Sequence, residues 1–308
     1  MAVRQQPDSP LEPDWMPIQA KLEQNRSPAS FAYKVRELLR RKALQPEAPE
    51  WRLITKLGAY AFLDKLQLPH ARVYAVLDGI ERLGDVELPD RFVLKPLHGD
   101  SAAGVMLLSR SDGGWVDELR GAWLSDDQLL ESARKARRRR GFIDRWLIEQ
   151  PLTSLDGQRV PDDFKLYAFQ GEIALALQRR GWVDGERAGR YRWYDANWQP
   201  VVNTGKHADA VDDRLAPPRP DAAAALIDVA VHISRTVPFA FCRVDTYVTD
   251  HGVRVGEINS YVGAYDRFAD EWDLRLGGMW ELAELRVPDR WPLIPAAVVD
   301  GDYRAATM

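Results

Sequence analysis

Four polar residues near the C-terminal end of the sequence form a set that can do chemistry: Arg243, Asp245, Glu257 and Asn259. They lie in two β-rich runs separated by an Asp-His-Gly turn, which is the pattern of a β-hairpin. Two carboxylates and a side-chain carbonyl are hard oxygen ligands of the kind that Mg²⁺ or Mn²⁺ prefers. An arginine beside them can hold a phosphate. This stretch therefore predicts a site for a metal ion and a phosphate.

The register of the hairpin decides whether these side chains meet. A three-residue loop at 250–252 with its glycine left-handed places Thr249 opposite Val253. The same register places the two carboxylates opposite each other and Arg243 opposite Asn259. Because side chains alternate along a strand, all four then share one face.

A surface hairpin with a charged solvent face is the simpler interpretation of this pattern. Two aromatic residues on the same face, Phe241 and Tyr247, are not typical of a solvent-exposed surface. We therefore favour a partly enclosed acidic site over a surface hairpin.

Composition limits the classes of protein that need to be considered. The chain has 308 residues, a net charge of −4 and a single cysteine, Cys242. It is long enough for two or three packed subdomains, has no global basic charge that argues for nucleic acid, and cannot form an internal disulfide. No apolar run approaches the roughly 18 residues that span a bilayer, and we expect no signal peptide and a cytoplasmic location. The oligomeric state stays open.

A lysine and a loop of small residues form a second set of chemical groups. The strand Phe92 to Pro96 contains Lys95 and leads into a loop, His98 to Gly104, before a strand at Val105 to Leu108. Backbone N–H groups in such a loop can approach a phosphate closely, and the lysine adds a charge. An ordinary hairpin turn fits the same residues, so this signal is weak when taken alone.

A further hairpin carries a lysine where an apolar residue is expected. A strand from Trp146 to Leu152 meets a polar connector, and Asp162 to Phe169 then pairs with Glu172 to Gln178. Lys165 shares one strand face with Tyr167 and Phe169. A lysine on such a face needs an anionic partner.

The remaining pattern is mainly helical. Residues 200–220 resemble an exposed connection, and Asp221 is predicted to cap the helix that follows them. The arginine run 137–140 fits a solvated helix end better than a polyanion-binding surface. The predicted helices span 31–43, 51–66, 126–141, 221–236 and 280–285.

The order of these motifs resembles the ATP-grasp superfamily. The phrases that carry the likeness are Phe-Val-Leu-Lys-Pro at 92–96, Asp-Asp-Phe-Lys-Leu-Tyr-Ala-Phe-Gln-Gly-Glu at 162–172 and Pro-Phe-(x)₃-Arg-Val-Asp-x-Tyr at 238–247. They look closest to the TupA-like branch, named for teichuronopeptide biosynthesis, and the likeness covers roughly residues 51–280. The aspartate with the Glu-x-Asn pattern is more specific than the lysine loop.

The resemblance implies an α+β ATP-grasp fold, in which two α+β lobes enclose a nucleotide site and a small α/β region precedes them. The expected divisions are an N-terminal lead-in and α/β region at 1–90, a small lobe at 91–150, a large lobe at 151–295 and a tail at 296–308.

The resemblance also assigns roles to residues. Arg243 and Lys165 are the expected catalytic residues, and Asp245, Glu257 and Asn259 are expected to hold Mg²⁺ or Mn²⁺. The small-residue loop is expected to cover the phosphates, and the connector is expected to hold the adenine. Asp156 is an expected contact of the ribose. The expected ATP-binding residues are Lys95, Gly99, Ser101, Gly104, Glu149, Gln150, Leu152, Asp156 and Lys165.

The implied activity is an ATP- and Mg²⁺-dependent ligase that joins a carboxylate to an amine through an acyl phosphate, in cell-surface polymer or peptide biosynthesis. The expected partners are ATP, a carboxylate substrate and an amine acceptor, without nucleic acid and without a membrane span. A kinase-like phosphotransferase needs the same nucleotide site, so the sequence does not separate it from a ligase. An inactive nucleotide-binding scaffold is the alternative from another class.

The chain departs from the family pattern at three places. One is the last metal position, where many TupA-like proteins have Thr, whereas Asn259 matches the wider superfamily. The covering loop has only two glycines, Gly99 and Gly104, and a Ser-Tyr-Val-Gly-Ala segment replaces a Pro-Gly-rich one at 260–264. The residues of the acceptor pocket are therefore the ones that the resemblance predicts least well.

Overall fold

Two antiparallel sheets organise the molecule. The computed structural model describes residues 28–99, 102–183 and 186–299. The first sheet has the spatial order β1-β6-β2-β3-β4-β5. Its strands are β1 (Val73–Leu77), β2 (Arg91–Pro96), β3 (Met106–Ser111), β4 (Gly114–Asp117), β5 (Ala122–Leu124) and β6 (Trp146–Glu149).

The second sheet also has six strands, in the spatial order β10-β9-β8-β7-β11-β12. The connector 150–162 carries the chain into it from β6. The predicted α+β fold with two lobes is confirmed. The strands are β7 (Asp163–Phe169), β8 (Glu172–Val183), β9 (Glu186–Tyr194), β10 (Pro200–Val201), β11 (Cys242–Thr249) and β12 (Gly252–Asn259).

Helices cover the two sheets. The second of them, α2, is shorter than predicted, because a 3-10 helix, Pro49–Ile54, precedes it and Thr55 caps its start. None of the described helices is long and apolar enough to cross a bilayer. The helices are α1 (Phe31–Leu44), α2 (Lys56–Lys65), α3 (Asp126–Arg140), α4 (Pro220–Thr236), α5 (Asp270–Glu284) and α6 (Ala296–Val299).

Local sequence signals explain where helices begin and end. Ser125 and Gln128 form a capping box at the start of α3, and Gly141 ends the helix in the left-handed conformation, as the sequence predicts. The predicted cap of α4, Asp221, is wrong by two residues. Arg219 is the capping residue and Pro220 opens the helix, because proline is already constrained to a helical φ at that position.

An aromatic cluster holds α1 and α5 against the second sheet. Phe241 is fully buried, and its ring centroid lies 5.1 Å from that of Phe31 and 5.5 Å from that of Trp280. Phe241 immediately precedes β11, so this packing anchors the strand that carries Arg243 and Asp245. The cluster thus links the core to the candidate site.

The β11–β12 hairpin differs from the predicted one at both ends. The loop contains two residues, Asp250 and His251, so Thr249 faces Gly252 and not Val253. A bulge at Gly256 adds one residue to β12, because Asp245 faces Glu257 while the next residue of β11 already faces Val255. The shorter loop and the bulge compensate each other, so the predicted pairs Asp245–Glu257 and Arg243–Asn259 are both present.

Candidate active site

A cavity of about 1020 Å³ lies between the two sheets and the connector. Most of the residues predicted to have a function line it together, although they come from five separate segments of the chain. Gly104 and Asp156 are not among its lining residues, and Ser101 lies outside the described residues. The predicted residues that do line it are Lys95, Gly99, Glu149, Gln150, Leu152, Lys165, Arg243, Asp245, Glu257 and Asn259.

Cross-strand pairing arranges the floor of this cavity in rows. Directly opposed residues of antiparallel strands point to the same face. The first row consists of Glu257, Asp245, Lys165, Leu177 and Trp193. The second row consists of Tyr247, Asp163, Arg179 and Tyr191. The register of the sheet therefore brings the predicted metal and phosphate residues together.

Asp245 lies at the centre of a buried charge network. Lys165 Nζ donates to Asp245 Oδ2 at 2.5 Å and lies 2.6 Å from Asp163 Oδ2. Arg243 donates twice to the same aspartate, from Nε to Oδ1 at 2.5 Å and from Nη2 to Oδ2 at 2.7 Å. The anionic partner that the sequence required for Lys165 is thus Asp245 together with Asp163.

These contacts set the charge of each group. Burial disfavours the ionised form of Asp245, but the charges of Arg243 and Lys165 outweigh it, and its pKa lies below the ordinary value. Burial likewise opposes the charge of Lys165, yet the two carboxylates raise its pKa. Burial raises the pKa of Asp163, and the attraction of Lys165 offsets only part of that effect. Asp245 is therefore the carboxylate held ionised at this point of the floor.

The donor set next to Asp245 suits a hard divalent cation. Glu257 faces Asp245 across the hairpin, and Asn259 is the next residue on the same face of β12. The amide nitrogen of Asn259 is buried and finds no hydrogen-bond partner among the described residues. In the described parts of the chain, no three His, Cys, Asp or Glu side chains come together as a metal site of their own. The fit to Mg²⁺ thus rests on two carboxylates and one amide.

The roof of the cavity holds a second polar group on the first sheet. Lys95 Nζ lies 2.6 Å from Glu149 Oε1, and Tyr60 donates to Glu149 Oε2 at 2.8 Å. The Tyr60 ring stacks on His70 with centroids 4.5 Å apart. Sequence reasoning missed Tyr60, because it reads as an ordinary member of the apolar stripe of its helix.

The loop after β2 is held by a lysine that the sequence did not single out. Lys56 Nζ donates to the carbonyls of Gly99 at 2.7 Å and Leu97 at 3.2 Å. Gly104 has a φ of +76°, and a Cβ there would lie 2.9 Å from Pro96 Cγ. The only signal for Lys56 was its place at the N-terminus of a helix, directly after the capping Thr55.

A group of basic and aromatic residues at the β8–β9 end of the floor was also missed. Lys206 is 3% exposed, which corrects the expectation that residues 200–220 form an exposed connection. Its Nζ donates to the Gly263 carbonyl at 2.7 Å. The imidazole of His207 stacks on Tyr191 with centroids 4.2 Å apart and planes 3° apart. No periodicity in this segment could have revealed these contacts.

Comparison with known families decides which family this arrangement belongs to. The model of the TupA-like ATP-grasp family matches residues 34–281. The chain belongs to this family. The match confirms the resemblance that the sequence motifs indicated and extends it toward the N-terminus.

Solved ATP-grasp ligases resemble this family member in fold. D-alanine–D-alanine ligase from Bacillus anthracis has a TM-score of 0.47 and 15% identity, over 76% of this chain and 68% of that one. The ATP-grasp ligase PsnB, in complex with a phosphomimetic variant of its minimal precursor, Mg and ADP, has a TM-score of 0.45 and 15% identity, over 82% and 70%. No curated protein matches this TupA-like chain.

Proposed function

We propose that this chain is an ATP- and Mg²⁺-dependent ligase that joins a carboxylate to an amine through an acyl phosphate. Membership of the ATP-grasp family supports ATP-dependent carboxylate–amine ligation in general. The observation that carries the proposal for this chain is the row Glu257–Asp245–Lys165, with Arg243 bonded to its central carboxylate. This row faces the same cavity as Lys95 of the opposite sheet.

The nucleotide would lie between the two sheets. Lys95 and Lys165 would contact its phosphates, the loop from Gly99 to Gly104 would cover them, and the connector from Glu149 to Leu152 would hold the adenine. Asp245, Glu257 and Asn259 would hold the Mg²⁺, whose chemistry is to neutralise charge on the phosphates. Mn²⁺ fits the same donors. Asp156 remains the proposed ribose contact, and Ser101 and Gly104 remain proposed loop contacts.

Arg243 is proposed to stabilise the transferred phosphoryl group. Phosphoryl transfer depends on positioning and cationic contacts more than on covalent chemistry by the protein. A carboxylate oxygen of the substrate forms a bond to the γ-phosphorus while the bond to the bridging oxygen breaks and ADP leaves. Arg243 and Lys165 hold the equatorial oxygens during that step.

Amide formation completes the reaction. The amine nitrogen forms a bond to the acyl carbon, the bond from that carbon to the phosphate oxygen breaks, and the nitrogen loses a proton. No protein nucleophile is needed. Cys242 is not suited to be one, because it is fully buried and burial raises its pKa above the ordinary value. We place the reaction in the cytoplasm, where ATP is available, and in the biosynthesis of a cell-surface polymer or peptide.

The test is ADP release with hydroxylamine as the amine and a panel of carboxylic acids. A ligase releases ADP only with an acid present and forms a hydroxamate. We expect Asp245→Asn to reduce the rate at least about 100-fold, because it removes a charged metal ligand. It also replaces Oδ2, which accepts two of the three charge-assisted hydrogen bonds of Asp245, by an amide nitrogen. The matched control is Asp228→Asn, at an exposed carboxylate of α4.

The outcome separates the alternatives. ADP formation that needs no acid and leaves the phosphate on a hydroxyl would identify a phosphotransferase. Nucleotide binding without turnover for any acid would favour the scaffold.

A further inference from the structure

The β8–β9 end of the cavity carries a cluster that the proposed nucleotide chemistry does not use. We call it the basic wall, and it consists of Arg179, Tyr191, Lys206 and His207. Arg179 and Tyr191 face each other across β8 and β9, and His207 lies flat on the Tyr191 ring. All four residues line the cavity.

Lys206 is the member of the wall that most needs a ligand. Its ammonium group is buried, donates to the Gly263 carbonyl at 2.7 Å and lies 3.4 Å from the Tyr167 hydroxyl. Among the described residues, no carboxylate lies within ion-pair distance of it. A buried ammonium group is costly unless an anion pairs with it. Arg243 and Lys165 repel its charge, and the attraction of Asp266, which makes no ion pair with it, offsets only part of that repulsion. A bound anion would supply the close counter-charge that these groups do not.

The backbone around Lys206 is held in a strained conformation. Asn203, Gly205 and His207 have φ values of 59°, 78° and 61°. A Cβ at Gly205 would lie 2.5 Å from the Ala269 nitrogen, and the Trp193 indole donates to the Lys206 carbonyl at 3.0 Å. Non-glycine residues in the left-handed region are retained where the surrounding structure enforces them, which is common at functional sites.

Arg179 adds to the positive charge of the wall. Its one carboxylate partner among the described residues is Asp163, with Nη1 3.8 Å from Oδ2, and Lys165 binds the same oxygen more closely at 2.6 Å. Two cations thus share one carboxylate. The buried Nε of Arg179 has no hydrogen-bond partner in the described structure. The wall therefore has donors and positive charge available to a bound anion.

The Arg179–Tyr191 end of the wall lies too far from the metal ligands to serve the same phosphates. In the sheet, β8 with Arg179 is two strands from β11, and β9 with Tyr191 is three strands from it, which is about 10 Å and about 14 Å at the usual strand spacing. A phosphate oxygen bound to Mg²⁺ lies only about 2 Å from the metal. Lys206 Nζ extends from the wall toward β7, where it meets Tyr167. Lys206 thus stands between Arg179 and Arg243. An anion that pairs with Arg179 as well as Lys206 is a separate group, attached to a molecule that also reaches the phosphates.

We propose that the basic wall binds a second acidic group of the carboxylic acid substrate, so that the substrate activated here carries two carboxylates. This inference rests on the proposed ligase function. One carboxylate meets the γ-phosphate near Arg243, and the other pairs with Lys206 and Arg179. The flat Tyr191–His207 pair offers a surface for the carbon chain that joins them.

The test compares diacids with monoacids of equal carbon number: succinate with butyrate, glutarate with valerate, and adipate with hexanoate. Each is titrated calorimetrically into the full chain saturated with Mg²⁺ and the non-hydrolysable analogue AMPPNP. We expect at least one diacid to bind at least 10-fold more tightly than its monoacid. Lys206→Met and Arg179→Met should each abolish this preference, while the matched control Lys135→Met, at an exposed lysine of α3, should keep it.

Three results would overturn the inference. Equal binding of diacids and monoacids at every length would show that the wall does not bind a second carboxylate. A diacid preference that survives both wall substitutions would place the second carboxylate elsewhere. Loss of AMPPNP binding in Lys206→Met would assign Lys206 to the nucleotide.

A turnover measurement separates this inference from the proposed function. Wild-type ADP release with hydroxylamine is recorded for the same acids. Release with monoacids as readily as with diacids would support the ligase and contradict the role of the wall. A diacid preference in binding without ADP release for any acid would support the wall as an anion site and contradict the ligase.

Discussion

At the scale of single residues, Lys206 connects stability to function. Burial, followed by the charge of Arg243, lowers its pKa to about 7 from the ordinary 10.5, although Asp266 acts in the opposite direction. Lys165 contributes to the same lowering. The neighbouring Tyr167 hydroxyl stays neutral, because burial raises its pKa above the ordinary value. The folded protein therefore pays a free-energy penalty for this side chain, as expected for a group kept for binding.

The sign of the resulting pH dependence follows from proton counting. Between pH 7 and 10.5 the unfolded chain holds a proton on Lys206 that the folded chain lacks, so this group makes stability rise with pH. We expect Lys206→Met to be more stable than the wild type by about 1–4 kcal/mol at pH 7. The difference should shrink as the pH approaches 10.

Urea unfolding of both proteins at pH 7 and pH 9.5 measures this difference. The exposed Lys135→Met serves as the control and should show no such trend. Equal stability of Lys206→Met and the wild type at both pH values would show that burial of the ammonium group does not lower the stability of the folded protein.

At the scale of elements, the bulge at Gly256 fixes the geometry of the hairpin. A Cβ at this position would lie 2.6 Å from Tyr247 Cε2, so Tyr247 would have to move. We expect Gly256→Ala to destabilise the protein by about 1–3 kcal/mol, the usual cost of overpacking. Thermal unfolding measures this change.

A glycine in open space provides the matched control. Gly278 lies in α5, and a Cβ there meets nothing within 4 Å. Gly278→Ala should leave stability unchanged or raise it, because alanine favours a helix. Should Gly256→Ala be as stable as the wild type, the close contact with Tyr247 would not be what keeps glycine at the bulge.

The hairpin also shows how far the sequence determines the site. Residue types and alternation predict correctly that Arg243, Asp245, Glu257 and Asn259 form two facing pairs. They do not predict the two-residue loop or the bulge, because both depend on how the hairpin packs. The pairs are correct because the two differences cancel in the register.

The basic wall could not be predicted from the sequence. Residues 203–207 have no periodic pattern, and tertiary contacts impose their left-handed conformations. The Trp193 indole and the Ala269 amide both hold this segment, from other elements of the chain. Lys95 and Lys165 were identifiable because each stands out within a regular strand.

At the scale of the whole molecule, the site exists only where the two sheets face each other. Lys95 and Glu149 belong to the first sheet, whereas Lys165 and Asp245 belong to the second. We propose that residues 91–150 and 151–295 act as the two lobes, joined through the connector, with 1–90 before them and 296–308 after them. A nucleotide bound between the lobes would contact both.

Calorimetric titration of AMPPNP, with and without Mg²⁺, tests the central claim most directly. The proteins are the wild type, the double variant Glu257→Gln with Asn259→Ala, and the control Glu271→Gln at an exposed position of α5. We expect Mg²⁺-dependent binding by the wild type and the control, and a loss of about 100-fold in the double variant. Absence of binding by the wild type, or undiminished Mg²⁺-dependent binding by the double variant, would contradict the nucleotide and metal site.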